Sequence, residues 1–302
     1  VVTIPTTHIV SHPGDYFEAD TPTLLISFAR SGNSPESVAS VALAEKYCSK
    51  CHHLIITCNA DGHLANYPLK DESYIFILPP EADDKSLAMT GSYSGMMLAS
   101  LLINDIANIY DNKKIVDTLT GYGNHILSNY SRLIRKIAQK SFKRAVFLGS
   151  GPMYGTAMES QLKLQELTDG QVICKNDSYL GFRHGPKAVV DETTLVVYFF
   201  SNVSTVLRYE KDLLNDMIKG KPSLCQIGIS ESKIDGISMD YELIMPDLGT
   251  TINEEYLPVC YILVGQMFGF YKSLSLGLHP DSPSDSGAIS RVVEGVIIYG
   301  ED

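Results

Sequence analysis

The chain has 302 residues, 44% hydrophobic and 20% charged, the balance of an ordinary globular protein of about two domains. Its formal net charge is −11 and it contains no basic block. That argues against nucleic acid and against an anionic membrane surface, since both are held by clustered Lys and Arg. The longest apolar stretch, YLPVCYILVGQMFGFY at 256–271, is too short and too interrupted to span a bilayer and reads as a buried core or interface helix. The first residues lack the charged and apolar regions of a signal peptide, so a cytoplasmic protein is expected.

In chain order, VVTIP and LLISF read as strands, and 35–47 as a helix with Val38, Val41, Ala42 and Glu45 on successive turns. HLIITC is a strand, NADG a turn and YIFILP a strand, followed by helices at about 87–110 and 113–139. The alternation then restarts. RAVFLGSG is a strand with a glycine loop, MYGTAMESQLKLQEL a helix, and QVICK and TLVVYFF are strands. VLRYEKDLLNDMI is a helix, CQIGIS and YELIMP are strands, and an apolar helix at about 254–276 closes the series. Strands alternating with helices predict an α/β fold with parallel sheets flanked by helices on both faces.

The two series overlay. Leu24 falls on Leu195 and Ile56 on Ile227, both 171 residues apart, and Pro79 on Pro246 at 167. The same shift sets Val1 opposite Val172, so the first series has no counterpart of RAVFLGSGPMYGTAMESQLKLQ. The expectation is a first domain over 1–140 that lacks its first strand, loop and helix, a second over 141–278, and a tail over 279–302 packing back on the protein.

Six cysteines, Cys48, Cys51, Cys58, Cys174, Cys225 and Cys260, fall mostly in apolar runs and read as reduced core thiols. CSKCHH at 48–53 has the spacing of c-type haem attachment, but it joins a helix end to a strand, and neither haem nor zinc is expected there. No other His, Cys, Asp or Glu grouping has metal-ligand spacing.

Four segments could carry chemistry. In SFARSGNSPESVA, 27–39, a strand runs into a turn and then a helix with Ser34 at the N-cap and Pro35 in the first turn. Such a turn lies at the carboxyl end of a parallel strand, where ligands bind in open sheets. Helix N–H groups, the hydroxyls of Ser31 and Ser34, the small Gly32 and the charge of Arg30 would suit a phosphate monoester, and an ordinary capped helix fits the same residues. In LKLQELTDG, Lys163 and Glu166 share a helix face, either as a surface ion pair or as a base with a cation beside it. In GFRHGPK, His184 is a solvated loop residue or a proton shuttle. In the turn-rich tail, Arg291 is a surface residue or one delivered to a site.

Taken together, SFARSGNSPESVA, ITCNADG, LKLQELTDG, GFRHGPK and SRVVEGVII resemble the sugar isomerase (SIS) domain family, in its galactosamine-6-phosphate deaminase and tagatose-6-phosphate ketose/aldose isomerase branch. Similarity to the isomerase half of glucosamine-6-phosphate synthase is more distant. The resemblance implies two tandem SIS domains in a homo-oligomer. It implies a sugar phosphate held by Ser31, Gly32, Asn33 and Ser34 with Arg30 alongside, and Thr90, Gly91 and Ser92 of the MTGS segment near the sugar. Glu166 matches the enolisation base, Lys163 its neighbouring cation, and His184 the ring-opening His that a neighbouring subunit supplies in the synthase. Arg291 falls where the synthase has a tail Lys, a change that is not neutral.

The implied reaction converts galactosamine 6-phosphate to tagatose 6-phosphate and ammonia through a cis-enolamine, with no metal or other cofactor. The alternatives are a plain tagatose-6-phosphate ketose/aldose isomerase and a non-catalytic phosphosugar sensor. Glu166 and His184 together favour catalysis over sensing.

Overall fold

The computed structural model describes the whole chain except residues 285, 286, 288, 292–294, 301 and 302. Two compact units emerge, one formed by 1–103 with 290–302 and the other by 104–289.

The first unit runs α1 (Thr6–Ser11), β1 (Thr23–Ala29), α2 (Pro35–Tyr47), β2 (Cys51–Thr57), β3 (Ser73–Ile77) and α3 (Gly91–Asn104). Its three strands are parallel, in the order β1-β2-β3. Val41 and Ala44 of α2 are fully buried, Val41 beside Ala29 and Ile55 and Ala44 beside Cys48 and Cys51. Both cysteines are unpaired, and burial, with Cys48 next, pushes the Cys51 thiol up to about 12, so it stays protonated and inert. VVTIP is not a strand. It leads into α1, whose N-cap is Pro5 at φ −61°. The helix expected from about 87 begins at Gly91, because residues 84–90 are used to cap it.

The second unit runs α4 (Lys113–His125), a π turn (Ile126–Tyr130), α5 (Ser131–Ala138), β4 (Arg144–Gly149), α6 (Pro152–Leu167), β5 (Ile173–Asp177), α7 (Tyr179–Phe182), β6 (Thr194–Phe199), α8 (Ser204–Met217), β7 (Cys225–Ser230), β8 (Tyr241–Ile244) and α9 (Pro258–Ser275). Its five strands are parallel, in the order β5-β4-β6-β7-β8. The single helix expected over 113–139 is broken by the π turn. The wider turn goes with Tyr130, whose hydroxyl donates to Ile244 O at 2.6 Å and accepts from Ile244 N–H at 2.9 Å on the edge strand. The core is built on β4 and β6. Tyr179, Tyr198 and Phe200 stack with ring centroids 5.9–6.1 Å apart, each worth roughly 1.5–3 kcal/mol of burial.

Strand register corrects one part of the sequence overlay. Phe28 pairs with Ile56 across β1–β2, and Phe199 pairs with Ile229 across β6–β7. With Phe28 set on Phe199, Ile56 falls on Ile229 and not on Ile227. The burial of the matching strands also differs. Leu24, Ile26 and Phe28 of the edge strand β1 are 59%, 40% and 50% exposed, whereas Leu195, Val197 and Phe199 of β6, flanked by β4 and β7, are buried.

Candidate active site

In the first unit, β1 ends at Ala29 and the chain turns through Arg30–Asn33 into α2. Gly32 makes the turn at φ +66°, a conformation that costs glycine little. The neighbouring segment pins it. Leu64 N–H donates to Gly32 O at 2.9 Å, Asn59 Nδ2 to Ser31 O at 2.9 Å, and His63 N–H to Asn33 Oδ1 at 2.9 Å. Ser31 Oγ accepts from Asn33 N–H at 3.3 Å. Ser34 is the N-cap, extended at φ −62° and ψ 126°, and its side chain makes no capping bond. Asn33 and Ser34 are exposed. Among the described residues, no side chain caps the start of α2, which leaves its positive dipole end available.

Arg30 is 8% exposed. Its Nη1 donates to Ser86 O at 3.1 Å and Leu87 O at 3.2 Å, and its Nη2 to Arg291 O at 3.2 Å. Burial, and next Arg291, lowers its pKa. Arg291 is exposed; its Nη2 donates to Asp84 O at 2.6 Å and lies 3.6 Å from the Asp83 carboxylate. Residues 292–294 of the SRVVEGVII motif lie outside the described residues.

The Thr90–Ser92 segment opens α3, and Asp84 occupies its donors. The Asp84 carboxylate accepts from Thr90 N–H (2.8 Å) and Oγ1 (2.6 Å), Gly91 N–H (2.9 Å), and Ser92 N–H (2.9 Å) and Oγ (2.6 Å). Burial pushes the Asp84 pKa upward, and the bonds from Ser92 and Thr90 overcome it and hold it at about 2.

In the second unit, Lys163 of α6 is 3% exposed, so its ion pair is not a surface one. Its Nζ lies 2.8 Å from Glu166 Oε2 and 3.3 Å from Glu159 Oε1. Burial raises the Glu159 pKa, with Lys163 opposing. Sequence reasoning missed Glu159, although a carboxylate four residues before Lys163 lies on the same helix face. Helix α9 sets the position of α6. A Cβ at Gly265 would lie 2.8 Å from Ser160 Cα, and one at Gly269 3.0 Å from Lys163 O. His184 is exposed and follows α7, whose N-cap Ser178 accepts from Gly181 N–H. Within this unit, among the described residues, no hydrogen bond or ion pair joins His184 to the Lys163 cluster.

The turn after β6 contrasts with the turn after β1. It is two residues shorter, for Phe28 and Phe199 differ by 171 while the N-caps Ser34 and Val203 differ by 169. Carboxylates occupy it. Ser201 N–H donates to Glu210 at 3.0 Å, Ser201 Oγ donates to Glu254, and Asn202 Nδ2 donates to Glu231 at 2.7 Å. Among the described residues, no carboxylate bonds the turn after β1. Among the described residues, no group of three or more His, Cys, Asp or Glu is placed to hold a metal ion, and no helix is long and apolar enough to cross a membrane.

Two parallel α/β units in one chain, with a serine-rich turn open after the first strand, form the architecture of the SIS-domain phosphosugar isomerases. No protein-family model matches the chain. It is 41% identical over 300 residues to the D-galactosamine-6-phosphate deaminase AgaS of Shewanella sp. (strain ANA-3), covering 99% of this chain and 73% of that protein. The tagatose-6-phosphate ketose/aldose isomerase structure from Escherichia coli matches with a TM-score of 0.88 and 36% identity, over 98% of this chain and 77% of that one. A Clostridium novyi NT structure, described as a candidate tagatose-6-phosphate ketose/aldose isomerase, matches with a TM-score of 0.94 and 42% identity, over 99% and 77%. The chain belongs to this AgaS family of SIS-domain enzymes.

Proposed function

We propose that the protein is an amino-sugar-phosphate isomerase that deaminates galactosamine 6-phosphate to tagatose 6-phosphate and ammonia. The observation that carries the reading is the buried Lys163 between Glu159 and Glu166: a cation held off the surface beside a partly exposed carboxylate serves acid–base chemistry better than it serves stability. The AgaS relatives support the substrate.

Ser31, Asn33 and Ser34 and the open start of α2 hold the phosphate, with Thr90–Ser92 a second helix start near the sugar. His184, from a neighbouring subunit of a homo-oligomer, assists opening of the pyranose. Glu166 removes the C2 proton of the open aldose, and Lys163 steadies the negative charge. The resulting enolamine takes a proton at C1 and becomes a 2-imine. Water adds at C2, and the C–N bond breaks to release ammonia and leave the ketose. The repeated strand order supports two SIS domains; the sequence bounds of 1–140 and 141–278, with a tail over 279–302 carrying Arg291, differ from the compact units in assigning 104–140 to the first. Buried, unpaired thiols suit a cytoplasmic setting.

Ammonia and ketose are followed together, with galactosamine 6-phosphate and glucosamine 6-phosphate in parallel. Both products from the galacto sugar support the reading. Interconversion of a neutral aldose and ketose phosphate without ammonia would favour the plain isomerase, the activity named for the Escherichia coli structure.

A further inference from the structure

We infer that Arg30 is a positioning residue that clasps the 86–87 backbone and the tail behind the cradle, and is not itself a phosphate ligand. The inference rests on the reading of Ser31–Ser34 as the phosphate cradle.

An arginine beside a phosphate cradle invites the opposite assignment. A ligand needs its fork presented outward, because phosphate takes two parallel N–H bonds from it. Arg30 has both Nη atoms committed to backbone carbonyls and is 8% exposed. The three carbonyls come from two segments far apart in sequence, Ser86 and Leu87 on one side and Arg291 on the other. Each segment carries a group tied to the start of α3 or to the loop before it. Two residues before Ser86, the Asp84 carboxylate caps α3 at Thr90–Ser92. On the tail, the Arg291 guanidinium returns to Asp84 O and the Asp83 carboxylate. The backbone of Arg30 is anchored in turn, since Thr57 Oγ1 of β2 donates to Arg30 O at 3.4 Å. One buried guanidinium thus fixes the spacing between the end of β1, the start of α3 and the tail. Without it, three carbonyls at a part-buried position lose their donor.

The test compares the whole chain with Arg30→Met, which keeps the length and apolar stem, and Arg30→Lys, which keeps the charge. Three quantities are read: inorganic phosphate affinity, the rate of tryptic cleavage after Arg291, and kcat and KM for ammonia release from galactosamine 6-phosphate. A positioning role predicts that Arg30→Met changes phosphate affinity and KM by less than about threefold, lowers kcat by about tenfold, and speeds cleavage after Arg291 by more than about threefold. Arg30→Lys recovers part of kcat and part of the protection, because an ammonium can still reach one or two carbonyls. Phosphate affinity weakened by more than about threefold in Arg30→Met, or cleavage after Arg291 unchanged, overturns the assignment. Should Arg30→Met fail to fold in a thermal melt, the same criteria are applied to Arg30→Lys. Ser31→Ala is titrated with phosphate alongside. If that variant binds phosphate as well as the parent, the cradle reading fails, and the cleavage result still decides the role of Arg30.

Discussion

Lys163 Nζ stands 2.8 Å from Glu166 Oε2 on one face of α6, and Lys163 is almost wholly buried. Burial of an ammonium is tolerable here because a second carboxylate, Glu159, lies 3.3 Å away. Lys163→Met leaves two carboxylates facing each other without a cation, and is expected to destabilise the protein by about 3–5 kcal/mol. Adding Glu159→Gln restores part of that loss but not the turnover. Denaturant unfolding of the single and double variants measures it, and a double variant no more stable than Lys163→Met contradicts the pairing.

The proposed phosphate cradle separates stability from binding at Ser34. An N-cap serine usually contributes about 1 kcal/mol through its side-chain bond, and Ser34 makes none. Ser34→Ala is therefore expected to leave the melting temperature nearly unchanged while raising KM for the sugar phosphate by about tenfold. A large loss of stability with KM unchanged would show an ordinary helix cap.

Glu210 gives the fold a pH dependence. Burial pushes its pKa up to about 7, opposed by Ser201 N–H and the Ser150 hydroxyl. A carboxyl raised in the folded state binds more protons there than when unfolded. Its contribution is thus most favourable below the ordinary Glu range and is lost as pH rises toward about 7. Glu210→Gln is expected to flatten the decline in stability between pH 5 and 8, a change on the order of 1–3 kcal/mol. Unfolding free energies across that range decide it, and an unchanged slope refutes it. Asp84 works in the reverse sense. Its pKa is held at about 2, so its capping of α3 persists above the ordinary Asp range and is lost as pH falls toward 2.

Two glycines set helix α9 close against α6, which carries the Lys163 cluster. Gly265→Ala forces α9 away from Ser160 and is expected to cost about 1–3 kcal/mol of stability and to lower turnover through the displaced Lys163. Normal melting and normal turnover together would show that α6 and α9 separate freely.

Much of this was legible in the sequence because it is local. Pro35 after a serine turn marks the start of α2, and the helix spans the residues periodicity assigned to it. Parallel sheets followed from strand–helix alternation. Glu159 is legible in principle, at helical spacing from Lys163, but the nearer Glu166 already satisfies the pairing that spacing suggests. VVTIP has the composition of a strand, but composition does not supply a neighbouring strand, and Pro5 turns the segment into a helix start instead. The π turn at Ile126–Tyr130 goes with a contact to Ile244 more than a hundred residues away. The Arg30–Arg291 clasp joins residues 261 positions apart. No local pattern encodes such pairings.

The proposed chemistry turns on Glu166 taking the C2 proton of the amino sugar. The direct measurement is exchange of the C2 hydrogen of galactosamine 6-phosphate for deuterium in heavy water, followed by NMR with the parent chain and with Glu166→Gln. The account predicts wash-out by the parent and a loss of about 100-fold or more in the variant, with phosphate binding retained. Wash-out at the parent rate in Glu166→Gln would contradict it.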